Sequence, residues 1–159
     1  MAIQASSLKV SLRETITINN NKYDSFVNHT ITGVNEVSKR ILSIPSESAL
    51  TIVNVGGDIA GGGFISSSIK YMRFSNLNDS ELPNHVDLTF QSEDSDEFAV
   101  RLDHGGSFMF PATGTYGVSG SMDAIDNDEA NITQMASLKS IEAKASGSYV
   151  DLELFIASS

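Results

Sequence analysis

Asp123, Asp126, Asp128 and Glu129 put four carboxylates within seven positions, a density at which a chain can offer oxygen ligands to a hard cation such as calcium. The twelve-residue calcium loop also requires a Gly after its first acids and a Glu to close it; neither follows, so the segment reads as a solvated acidic loop. A second cluster, Glu93, Asp94, Asp96 and Glu97, has the composition for glycoside cleavage. That chemistry needs two carboxyls facing each other across a cleft, whereas neighbours at a hairpin tip repel one another and stay in water. His29, His85 and His104 are far apart and lack metal-ligand spacing. Ser119 sits in Gly117-Val118-Ser119-Gly120-Ser121, where one Gly comes a place too early for a nucleophile elbow. The glycines between Gly56 and Gly63 lack the Lys-Ser/Thr ending of a phosphate cradle. With no cysteine there is neither a thiol nucleophile nor a thiolate metal site. The expectation is a protein with no catalytic centre, no metal and no cofactor.

The bulk properties set the frame in which such residues sit. A chain of 159 residues fits a single domain, 1–159, and its 40% apolar content is too rich for a disordered chain despite a net charge of −10. The charge is uneven. Residues 1–75 carry seven basic and five acidic side chains, and residues 76–103 carry one and eight. Phosphate-rich partners would be repelled, which excludes nucleic acid as the expected ligand. No stretch approaches the roughly 20 apolar residues of a membrane span, and the first residues lack the pattern of a signal peptide, so a soluble product of the cytoplasm is expected.

The elements read as β throughout. Leu8, Val10, Leu12, Ile16 and Ile18 fall on even positions among polar neighbours, with Glu14 the exception; this is the pattern of a half-buried strand. Asn19-Asn20-Asn21-Lys22 tolerates left-handed backbone and ends that strand in a turn. Val34, Val37, Ile41 and Leu42 fit either a short helix or an irregular strand. Leu50 to Val55 is apolar on both faces, as expected of a central strand. Val86 to Phe90 and Phe98 to Leu102 alternate around the acidic tip as a hairpin, Phe108 and Phe110 lead to a strand closed by Pro111, and Leu138 to Ile156 forms a last hairpin around Ser146-Gly147-Ser148. Eight or so short strands joined by Gly, Asn and Ser turns predict an all-β, antiparallel β-sandwich or jelly roll with one long irregular loop, 112–135.

The stretch from Ser68 to Asp79, with Arg73, Asn76, Asn78 and Asp79 at a strand end, then Val86 to Phe90 and Phe98 to Pro111, resembles small virion structural proteins of tailed bacteriophages. Leu138 to Ile156 resembles the closing hairpin of such proteins. The resemblance implies a non-enzymatic virion protein in many copies, a capsid decoration or cement protein on the outer surface of the head. Its partners would be the major capsid protein or tail components, with further copies of itself. An acidic chain is better matched to that outer surface than to packaged DNA. Lys9, Arg13 and Lys22 are the expected contact to an acidic neighbour. The 112–135 loop, with Tyr116, Asp123, Asp126 and Asp128, is the second expected contact, since loops of this length are commonly functional. The alternatives are a tail or neck structural protein, or a carbohydrate-binding receptor-recognition module of the tail. A sugar site would want exposed aromatic platforms, and the chain has no Trp and four Tyr, of which Tyr71 and Tyr149 are expected to pack within strands.

Overall fold

Val150, Leu152, Leu154 and Ile156 fall on one side of an extended chain and are buried, while Asp151 and Glu153 point the other way. This period of two organises the whole molecule. The computed structural model describes residues 6–55, 69–92, 97–111 and 138–159, and these contain ten strands and no helix. In chain order they are β1 (Ser6–Ile18), β2 (Asn21–Val34), β3 (Glu36–Pro45), β4 (Leu50–Asn54), β5 (Ile69–Asn76), β6 (Val86–Ser92), β7 (Glu97–Leu102), β8 (Ser107–Pro111), β9 (Leu138–Ala145) and β10 (Tyr149–Ser158).

Eight of the strands form two four-stranded sheets, ordered β3-β10-β5-β8 and β4-β9-β6-β7, and every pairing is antiparallel. Four pairings are nested, outermost strand with outermost: β3 with β10, β4 with β9, β5 with β8, and β6 with β7. Rolling one long antiparallel hairpin into two facing layers produces this order, which is that of a jelly roll. The inner faces bury Ile44, Met72, Phe74, Leu152 and Leu154 from one sheet against Val86, Leu88, Phe90, Ile141 and Ala143 from the other. Phe90 stacks on Phe98 at 4.5 Å between ring centroids and meets Phe74 edge-on, so aromatic contacts join strands of both layers.

The structure revises four sequence expectations. Residues 36–45 are a regular strand, with Leu42 and Ile44 facing the core and Val37 and Ile41 facing out; two apolar faces at a period of two had imitated a short helix. The run from Leu50 is an edge strand and not a central one. Its register shifts between Thr51 and Val53, and the bulge turns both Ile52 and Val53 into the core, which explains consecutive apolar residues without a second covering layer. The third revision concerns β1 and β2, which among the described residues pair only with each other and stand outside the sandwich. The fourth concerns Leu138 to Ile156, which is not a hairpin: β9 pairs with β4 and β6, and β10 with β3 and β5, so the Ser146-Gly147-Ser148 turn crosses from one layer to the other. The Gly56–Gly63 segment and the expected 112–135 loop lie outside the described residues.

The end of the sandwich where β5, β7 and β9 finish is held by buried asparagines. The Asn76 amide donates to the carbonyls of Asn84 (2.9 Å) and Leu102 (3.2 Å), and its Oδ1 accepts the Asn78 N–H at 3.0 Å. Asn78 in turn donates to the Tyr149 carbonyl at 3.1 Å and accepts the Asp151 N–H at 3.0 Å. Gly105, at φ +70°, lets the β7–β8 turn donate its N–H to the Asn76 carbonyl at 3.1 Å. Gly147, at φ +72°, passes so close to Asn84 that a Cβ would lie 2.4 Å from Oδ1. The Arg-x-x-Asn-x-Asn pattern of the sequence is therefore a structural clamp joining three connections. Asn76→Ala orphans two carbonyls and an N–H at a buried site, and urea denaturation should register a loss of about 3 kcal/mol; a loss below about 0.5 kcal/mol would contradict the clamp.

Candidate interaction surface

Asn19 and Asn20 have φ of 50° and 63°, the positive values that a two-residue type I′ turn requires at both central positions. This turn folds β1 onto β2 in unbroken register from Ser7↔Thr32 to Ile18↔Asn21. Strands of 13 and 14 residues make an arm about 40 Å long, against 5 to 10 residues for each strand of the sandwich. Directly opposed residues share a face. One face therefore carries the pairs Leu8/Ile31, Val10/His29, Leu12/Val27, Glu14/Ser25 and Ile16/Tyr23, followed by Ile18; the other carries Lys9/Thr30, Ser11/Asn28, Arg13/Phe26, Thr15/Asp24 and Thr17/Lys22.

The apolar face has two fates along its length. At the base, Leu8, Val10, Ile31 and Val34 pack on Tyr71, Phe155 and Ala157, which project from the outer surface of the β3-β10-β5-β8 sheet. Beyond the base no described residue covers the arm: Leu12, Ile16 (53% exposed), Ile18, Tyr23 (58%) and Val27 are all exposed. An isolated two-stranded ribbon is marginally stable at best. Covering the exposed half of each of these side chains is worth on the order of 1 kcal/mol apiece. The half-buried strand read from the alternation of β1 is thus corrected, since its apolar face is buried only near the body.

Where the arm leaves the sheet, Leu8, Val10, Tyr71, Met109 and Phe155 line an open groove of about 270 Å³. Glu153, only 12% exposed, lies on the same outer surface and is bonded to Arg73 and, at 3.1 Å, to Lys39. The Lys39 hydrogen bond holds the Glu153 carboxyl below its ordinary pKa; burial opposes this shift and Arg73 adds to it. Further out, Val37 (52%) and Ile41 (59%) of β3 are exposed beside this network, as is Tyr149 of β10, contrary to the expectation that it packs within its strand. The outer surface of the other sheet is polar and built differently. Asp87 and Arg101, opposed across β6 and β7, form a two-bond pair at 2.8 and 3.0 Å, and the Arg101 hydrogen bond lowers the Asp87 pKa.

Of the residues expected to make contacts, Lys9, Arg13 and Lys22 all lie on the polar face of the arm, so the structure does bring them to one surface. Lys22 is engaged with Asp24 at 2.9 Å, and this contact, with a bond from Thr15, lowers the Asp24 pKa. Tyr116, Asp123, Asp126 and Asp128 lie outside the described residues. The exposure of the apolar residues Leu12, Ile16, Tyr23, Val37 and Ile41 was not legible in the sequence, because alternation shows which face is apolar but not whether anything covers it. The one available signal was strand length, since 13 paired residues exceed a sandwich strand. His29 lies on the arm, His85 at the start of β6 and His104 in the β7–β8 turn; no group of three or more His, Asp or Glu among the described residues is placed to hold a metal ion. No helix among them is long and apolar enough to cross a membrane. Comparison with protein-family models, with curated proteins and with solved structures finds no match to this chain.

A carboxylate whose folded pKa is depressed stabilises the fold above its unfolded value, and that contribution is lost as pH falls through the folded value. Glu153→Gln should therefore cost about 1–2 kcal/mol near pH 7, after allowance for the exposure of Lys39. The difference from the parent should shrink below about pH 4. Thermal melts of both proteins across this range test the assignment, and a gap that widens in acid would refute it.

Proposed function

We propose that this chain is a non-enzymatic structural protein of a multi-copy assembly, in which the jelly roll is the body and the arm grips a neighbour. One observation carries the reading: the apolar face of the arm is buried against the body at its base and exposed over the rest of its length. Exposed apolar surface of this extent on a projecting arm marks an interaction site. The resemblance of residues 68–111 to virion proteins of tailed bacteriophages supports one form of it, a decoration or cement protein on the outside of the head. The acidic body supports that placement, being better matched to an outer surface than to packaged DNA. The Asn76 and Asn78 clamp bears on the same motif, because it ties the resembling residues to the fold and leaves recognition to surfaces elsewhere.

The carbohydrate-binding alternative draws on Tyr23 and Tyr149, both exposed. Binding measurements separate the two readings. Capsids lacking this protein should bind it saturably, and Tyr23→Asp should weaken that binding at least about tenfold, while Arg101→Ala on the opposite sheet should leave it unchanged. Failure to bind any virion component, together with micromolar glycan binding lost in Tyr149→Ala, would replace the structural reading.

A further inference from the structure

The exposed faces of the arm and of β3 match. On β1, Leu12, Glu14 and Ile16 follow one another along the apolar face, with Glu14 its single charge. On β3, Val37, Lys39 and Ile41 follow one another along the outer face at the same spacing, with a lysine at the centre. Both rows are two residues per step, about 7 Å on an extended strand. Apolar, acidic, apolar thus stands opposite apolar, basic, apolar. We propose that the arm of one copy lies across the outer face of the β3-β10-β5-β8 sheet of a second copy, seating Leu12 and Ile16 against Val37 and Ile41 and pairing Glu14 with Lys39.

Two observations commit this surface to a second copy of the same chain. The first is continuity. The base of the arm already packs on this sheet through Tyr71, Phe155 and Ala157, and Val37 is the cross-strand partner of Ala157, so the vacant row begins where the buried contact ends. The second is charge. Glu14 is the single charge on the apolar face of the arm, and the strands of the facing sheet carry four basic and three acidic side chains, Lys39 among them. The carboxylate of the arm therefore meets a complementary lysine on a second copy, which is always present at equal concentration. Lys39 keeps its bond to Glu153 and is still 60% exposed, so it has donors left for a second carboxylate.

The inference deepens the assembly reading and rests on it, but it fails separately. The test is charge reversal followed by mixing, read by analytical ultracentrifugation of the full chain. The parent should associate at micromolar to submillimolar concentration. Glu14→Lys and Lys39→Glu should each weaken association about tenfold or more, because like charges then face each other in every self-contact. Mixing the two variants should restore association, since each arm now meets a complementary body. A parent that stays monomeric, a Glu14→Lys variant that associates as the parent does, or folded variants that do not rescue one another would each overturn the proposal. Packing of arm on arm gives a distinct result, in which Glu14→Lys is rescued by mixing with the parent and Lys39→Glu has no effect. Because Lys39→Glu sets an acid beside Glu153, the mixture of Ile16→Asp with Ile41→Asp gives the same readout from exposed positions: each alone is weakened, and the pair regains one of its two contacts. A monomer that binds capsids through its arm ends this inference and leaves the reading above intact.

Discussion

A sheet face covered with apolar side chains is stable only under a second layer, and the molecule answers that requirement differently in its two parts. In the sandwich the layers cover each other. The inward residues of β10 and β6 meet across the core, and the polar residues between them face out. The arm has no second layer of its own. Its base borrows one from the outer surface of the β3-β10-β5-β8 sheet, and the rest of its apolar face is left in solvent.

The nested pairing explains how both parts coexist. Because β3 pairs with β10, the start and the finish of the jelly roll lie side by side, and the Asn35 N–H donates to the Ser158 carbonyl at 2.8 Å. The arm therefore emerges where the last strand ends and folds back over it, onto Ala157 and Phe155. The opposite end of the sandwich is held by polar bonds instead. Asn76, Asn78 and Asn84 bind main-chain groups of the connections between β5 and β6, β7 and β8, and β9 and β10, leaving that end tightly satisfied. A hydrogen-bonded end and a projecting arm divide the molecule into a part closed by polar bonds and a part that presents apolar surface.

The two outer sheet surfaces divide in the same way. Asp87, Thr89, Gln91, Ala99 and Arg101 make one of them an ordinary solvated surface, with Asp87 and Arg101 paired across strands. The other holds a partly buried Glu153 between two cations and exposes Val37 and Ile41 beside it. An apolar pair around a charged residue on an outer surface adds nothing to the core, and the proposed contact with a second copy gives it a use.

Local chemistry made much of the fold legible from residues alone. Period-two alternation marked β6, β7 and β10, the paired asparagines marked the turn between β1 and β2, and Pro111 marked the end of an edge strand; each of these signals is carried by neighbours in sequence. What tertiary structure alone decided depends on residues far apart. Ile44 opposes Val150 because of a pairing no local pattern contains, and that pairing made residues 36–45 a strand. A bulge made β4 an edge strand with consecutive buried residues, and only the assembled sheets show that Asn76 is a clamp. The apolar row of β1 was plain in the sequence from the outset. Whether water or protein covers it is a property of what lies opposite in space, and among the described residues nothing lies over Leu12, Ile16 and Ile18.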